Sequence, residues 1–134
     1  MASFGGSGFD ELIEQMKKQS DLMDTAAAEV LEAGAEVLVK SWQDAIKQYG
    51  LIDTGDMLNS VAPTKAVVTT GFKYIEVYPQ GVDRKGVRNA TKAFVNHYGR
   101  GNRQATHFVD TAEKNAAGPA VEAMAEVWAK KLEG

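Results

Sequence analysis

The stretch Asn89–Asp110, NATKAFVNHYGRGNRQATHFVD, decides how this chain is read. Asn89 is a residue type that caps helices, and Ala90, Ala93, Phe94 and His97 follow at helical spacings of three and four. Gly99 stands where a helix end favours a left-handed residue. Thr106 offers a second cap, after which Phe108, Val109 and Ala112 begin another apolar face. The reading is helix, tight loop, helix. The loop Arg100-Gly101-Asn102-Arg103 is basic, and both histidines, His97 and His107, flank it.

Upstream, the apolar positions Ala26, Val30, Ala33, Gly34, Val37, Leu38, Ser41, Ala45 and Tyr49 step by three and four, with Trp42 and Ile46 widening the stripe. They predict one long helix, starting at Asp21 or Asp24 and ending at Gly50. Phe9 to Lys18 is predicted as a short amphipathic helix carrying Phe9, Leu12, Ile13 and Met16 on one face. Residues 1–8, with Gly5, Gly6 and Gly8, form an expected flexible lead to a single domain over 9–134. Asp53 or Thr54 is expected to cap a short helix that returns Met57, Leu58 and Val61 to the core. The period then changes to two. Thr64–Thr70 and Phe72–Tyr78 read as an antiparallel hairpin, with Ile75 and Val77 facing opposite to Tyr74, Glu76 and Tyr78. Gln80–Arg88 reads as an exposed, flexible loop. A C-terminal helix over about Thr106–Leu132 is expected to kink or split at Gly118-Pro119. The expected class is therefore α+β: several helices, one of them a long helix in the N-terminal half, packed on a small antiparallel sheet.

The 134 residues contain no cysteine, which removes disulfides, thiolate catalysis and cysteine zinc sites. No apolar run reaches membrane-spanning length, and the start lacks the basic flank and apolar core of a signal peptide. The net charge of −3 is unevenly spread: residues 1–62 carry −7, residues 63–103 carry +6 and the remainder −2. Such polarity favours head-to-tail contact between copies or docking on a charged partner, unless the halves neutralise one another within the fold.

No catalytic constellation emerges. Paired carboxylates such as Glu29, Glu32 and Glu36 lie on a solvated helical face, and no serine has the strand–turn–helix setting of a nucleophile elbow. His97, His107 and Asp110 form an imaginable metal set, but with no cysteine and a ten-residue gap the plain reading is a packed His97 and a solvated His107. The basic region 84–103, with aromatics nearby, leaves a small nucleic-acid-binding module as the alternative function. The acidic chain and the lack of a recognition motif speak against it.

Two stretches carry a resemblance. Asp53-Thr54-Gly55-Asp56-Met57-Leu58-Asn59-Ser60-Val61 is one. The other is Arg88 to Arg100 followed by Gln104-Ala105-Thr106-His107-Phe108-Val109 and Ala112. In order and spacing they resemble the gene-product-ten-like family of tailed phages and prophages, small tail-completion proteins also called head–tail joining or minor tail proteins. The chain departs from the family's pattern at His97, where an acid is common, and at Thr106-His107, where Ala-Arg or Pro-Arg is frequent. These departures bear on a local salt bridge and not on the fold. The resemblance implies a non-enzymatic structural protein without cofactor, assembling as a ring in the virion neck or tail after synthesis in the host cytoplasm. Its partners would be copies of itself and connector or tail-tube proteins, with no membrane contact and with DNA touched only as a channel lining. On this reading Arg84, Lys85, Arg88, Arg100 and Arg103 face partners, while Thr54, Gly55, Leu58, Phe94, Tyr98, Gly99 and Phe108 hold the fold.

Overall fold

A computed structural model describes residues 2–3, 10–12, 14, 20–69 and 72–133. The chain runs β1 (Ala2–Ser3), α1 (Ser20–Gln48), α2 (Asp56–Ser60), β2 (Val61–Pro63), β3 (Val67–Val68), β4 (Lys73–Tyr74), β5 (Glu76–Pro79), α3 (Asn89–Tyr98) and α4 (Phe108–Glu133). The class is α+β, with the long helix of the N-terminal half packed between a second long helix and a small antiparallel sheet. Apart from β1, the expected lead over 1–8 lies outside the described residues. So does most of the helix expected over Phe9–Lys18. Asp10, Glu11, Leu12 and Glu14 are helical, with Leu12 buried and the three acids exposed.

Helix α1 buries Ala27, Val30, Leu31, Ala35, Leu38, Trp42 and Ile46, the 3.6-residue stripe read from the sequence turned slightly toward Ala27, Leu31 and Ala35. Its main partner is α4, which offers Phe108, Ala112, Ala116, Ala120, Met124 and Trp128. Ser41 Oγ donates to the Ala112 carbonyl at 2.6 Å, Tyr49 Oη meets Thr111 Oγ1 at 2.8 Å, and Lys131 reaches Glu29 at 2.8 Å. Trp42 and Phe108 meet edge to face at 5.4 Å, both fully buried.

The expected split at Gly118-Pro119 does not occur: α4 is one helix from Phe108 to Glu133 through Gly118 and Pro119. Proline removes one N–H and crowds one carbonyl. Here Ala116 and Ala120, one turn apart and both buried, hold the flanking turns in place, while Gly118 and Pro119 face solvent.

The hairpin forms in two pieces. β3 pairs with β4, matching Val67 to Tyr74 and Val68 to Lys73. β5 is the centre of a three-stranded sheet in the order β1-β5-β2, with Ala62 opposite Tyr78. Ile75 and Val77 face the core, as the alternation predicts, and Tyr74 is exposed.

Candidate partner-binding surface

The two stretches that carry the resemblance pack together around the connection between β5 and α3. Gly55 has φ +89° and precedes α2 without a side-chain cap; Thr54 Oγ1 accepts from the Asp56 N–H at 3.3 Å. Asp56 lies in the first turn, where a carboxylate is favoured. It accepts from Arg84 three times: the Nε–H at 2.9 Å, the Nη2–H at 2.8 Å and the backbone N–H at 2.9 Å. These contacts hold the Asp56 carboxyl well below the usual range, the Arg84 side chain being the largest cause and its backbone N–H the next. Leu58 is partly buried against the core.

The segment before α3 is exposed, as expected, and its backbone closes into a hydrogen-bonded turn. Asp83 Oδ1 accepts from the backbone N–H groups of Lys85 and Val87 at 2.9 and 2.8 Å, and Asp83 Oδ2 receives Lys92 Nζ at 2.9 Å. The Lys92 bond and the Val87 N–H hold its carboxyl below the ordinary value. Sequence reading missed Asp83. The available signal was Asp at the first and Gly86 at the fourth position of a tight turn.

Asn89 also differs from expectation. The cap position is Arg88, without a side-chain bond, and Asn89 is the first helical residue, 2 % exposed. Its Nδ2–H donates to the Gln80 carbonyl at 2.9 Å and its backbone N–H to Gly81 at 3.0 Å, so it ties the turn to the helix. Facing inward with it on α3 are Ala93, Asn96 and His97. That face turns Phe94 and Tyr98 outward, 57 % and 59 % exposed, which corrects their assignment as fold-holding residues. They touch each other at 4.8 Å.

Gly99 ends α3 at φ +82°, ψ 165°, outside the left-handed helical region anticipated for it. A Cβ there would sit 2.7 Å from the Arg103 carbonyl oxygen and 2.8 Å from the Ala105 nitrogen. The chain then doubles back through paired Arg100 and Arg103 backbones at 3.0 and 2.9 Å. Thr106 and His107 return beneath α3. The Thr106 N–H and Oγ1 donate to the Asn96 carbonyl and the His107 N–H to that of His97, filling acceptors that a helix end leaves open. Thr106 Oγ1 also accepts the Phe108 N–H at 3.3 Å, the cap read from the sequence.

The two departures from the family pattern face each other. The His97 and His107 rings are 5.0 Å apart, and ligand atoms of His97, His107 and Asp110 all lie within 4.8 Å of one another. His107 has φ +53°, unusual for a side-chain-bearing residue. His97, 7 % exposed, accepts the Val109 N–H on Nδ1 at 3.3 Å. A neutral ring accepting on Nδ1 carries its proton on Nε2, the atom 3.9 Å from Asp110. A metal or a general base needs that lone pair open, and a ligating imidazole usually donates through its other nitrogen. The geometry therefore makes His97 a cap for the first turn of α4. Burial pushes its pKa down, the Asp110 charge pulls up and His107 pushes down.

Of the five basic residues singled out, Arg84 is committed to Asp56 and Arg103 Nη1 donates to Asn96 Oδ1 at 2.6 Å. Lys85, Arg88 and Arg100 are exposed. Among the described residues, two clefts flank α3. One, of about 1030 Å³, is lined by Ile52, Val87, Lys92, Val95, Arg100 and Arg103 among others. The other, of about 420 Å³, lies on the opposite side of the helix and includes Phe94, Tyr98, Val109, Asp110 and Glu113. Among the described residues no helix is long and apolar enough to cross a membrane. No family model, curated protein or solved structure matches this chain.

Proposed function

We propose that this chain is a structural assembly protein of a tailed-phage or prophage virion, of the head–tail connector or tail-completion type, acting by ring formation and docking rather than by catalysis. One observation carries the reading. The two separated motifs that resemble the gene-product-ten-like family come together in space: α2 packs on α3, and both line the larger cleft. Charge polarity and the exposed Lys85, Arg88 and Arg100 support a role in contact with partners.

The test is particle completion. Deleting the coding sequence from a phage that carries it leaves heads and tails unjoined or unfinished in electron micrographs, and the purified wild-type protein restores infectious particles. Charge reversal at Lys85 and Arg88 together spares the Asp56–Arg84 pair and lowers that restoration while the protein stays folded. Normal particles from the deletion strain would end the proposal.

A further inference from the structure

We propose that the two clefts beside α3 are the two halves of one head-to-tail contact between copies of this chain, with Arg100 of one copy seated between Phe94, Tyr98 and Asp110 of the next. This rests on the ring-forming role proposed above and names the surfaces that would carry it.

The clefts have complementary chemistry. Thr91, Lys92, Val95 and Asn96 line the larger cleft and Ala93, Phe94, His97 and Tyr98 the smaller, so the clefts open on opposite flanks of a ten-residue helix. Each has an apolar floor opened to solvent: Ile52 and Val87, 48 % and 44 % exposed, on one side, and Phe94 and Tyr98 on the other. The lips are opposite in sign. Lys92, Arg100 and Arg103 outweigh Asp53 in the lining of the larger cleft, and Asp110 and Glu113 line the smaller. Monomers seldom leave paired large aromatics uncovered, and aromatic and arginine side chains anchor most interfaces.

Arg100 is the seated group because the fold presents it. Its backbone is pinned to Arg103 at the tip of the turn, and among the described residues its side chain has no hydrogen-bond or ion partner. The acceptor side suits a guanidinium. Phe94 and Tyr98 offer ring faces for a cation, and the Asp110 side chain, 71 % exposed, has His107 and His97 at 3.8 and 3.9 Å as its ion partners among the described residues. Two different patches on opposite sides of one helix make a heterologous contact, which closes into a ring or runs on as a filament.

The experiment is a charge swap read by sedimentation up to millimolar concentration and in completed particles. Arg100→Asp and Asp110→Arg should each weaken self-association about tenfold or more. An equimolar mixture of the two should recover it, since every junction in an alternating assembly again pairs opposite charges. Circular dichroism checks that both variants stay folded. Phe94→Ser, on an exposed position, should weaken association without changing the melting temperature. Wild-type assembly that neither swap alters, or a mixture that fails to recover, overturns the contact and leaves the assembly role standing. A wild type that is monomeric at millimolar concentration yet completes particles with either variant also overturns it. Particles that complete without the protein sink the assembly role itself.

Discussion

Arg84 closes on Asp56 through two parallel N–H···O bonds of 2.9 and 2.8 Å, and its own backbone N–H adds a third at 2.9 Å. The pair bridges 28 residues of sequence and fastens the turn before α3 to the start of α2. Because the folded carboxyl titrates below its ordinary 3.8, its contribution is complete above about pH 4 and is lost as the pH falls further. Asp56→Asn should therefore lower the melting temperature at pH 7 and make acid unfolding less steep below pH 4. Both effects are read by circular dichroism. High salt should shrink the difference from wild type, since Arg84 is largely exposed.

His97 gives a second pH dependence of the same sign in a different window. Its folded pKa lies below the ordinary 6.5, so the stabilisation is full above about pH 6.5 and declines as the pH drops through the folded value. Protonation adds an Nδ1–H facing the Val109 N–H, two donors in opposition. His97→Gln keeps an acceptor and should flatten the stability profile between pH 7 and 5. Nitrogen chemical shifts should show the wild-type ring as the Nε2–H tautomer at neutral pH; an Nδ1–H tautomer would contradict the cap.

Gly99 and Gly101 separate two reasons for glycine. Both have positive φ, but only at Gly99 would a Cβ strike backbone, at 2.7 and 2.8 Å. Gly101→Ala meets nothing within 4 Å and should cost about 1 kcal/mol, the ordinary left-handed penalty. Gly99→Ala adds a clash that the turn cannot relieve by rotating a side chain, and should cost about 3 kcal/mol or more. Urea unfolding of both variants measures the gap.

In α4, Gly118 faces solvent, its φ is not positive, and a methyl placed there would meet nothing within 4 Å apart from its chain neighbours and the helix's own backbone. Gly118→Ala should stabilise the protein by about 0.5–1 kcal/mol. Phe108→Ala in the same helix should cost about 3–5 kcal/mol, because Phe108 is fully buried edge-on against Trp42. Thermal and urea unfolding give both values, and a destabilising Gly118→Ala would mean that the Pro119 ring crowds the new methyl.

Periodicity carries most of the fold. A stripe of small and aliphatic residues at steps of three and four locates α1, and the alternation around Ile75 and Val77 locates β5 and its inward face. What pattern cannot show is contact between distant side chains. Nothing local marks Asp56 as the partner of Arg84, so a paired arginine reads as a free one. Phe94 and Tyr98 read as interior because aromatics usually are; Ala93 and two hydrogen-bonded polar residues, Asn89 and Asn96, take that face instead. Pro119 misleads for the opposite reason, since the packing of Ala116 and Ala120 outweighs a single local breaker. At the candidate surface the basic turn 100–103 is visible in sequence, while the acidic, aromatic cleft opposite it needs α3 and α4 side by side.

The alanine face of α4 has a consequence for how this chain tolerates change. Ala112 and Ala116 are at most 2 % exposed within the core shared with a neighbouring helix, and alanine gives up no rotamer freedom on burial. The helix pair therefore docks at little entropic cost but leaves no slack: a bulkier residue at either position must pry the rods apart, whereas Gly118 and Pro119, on the outer side, are free to drift. Lineages of this sequence should keep the inner positions confined to the smallest side chains and vary the outer ones widely.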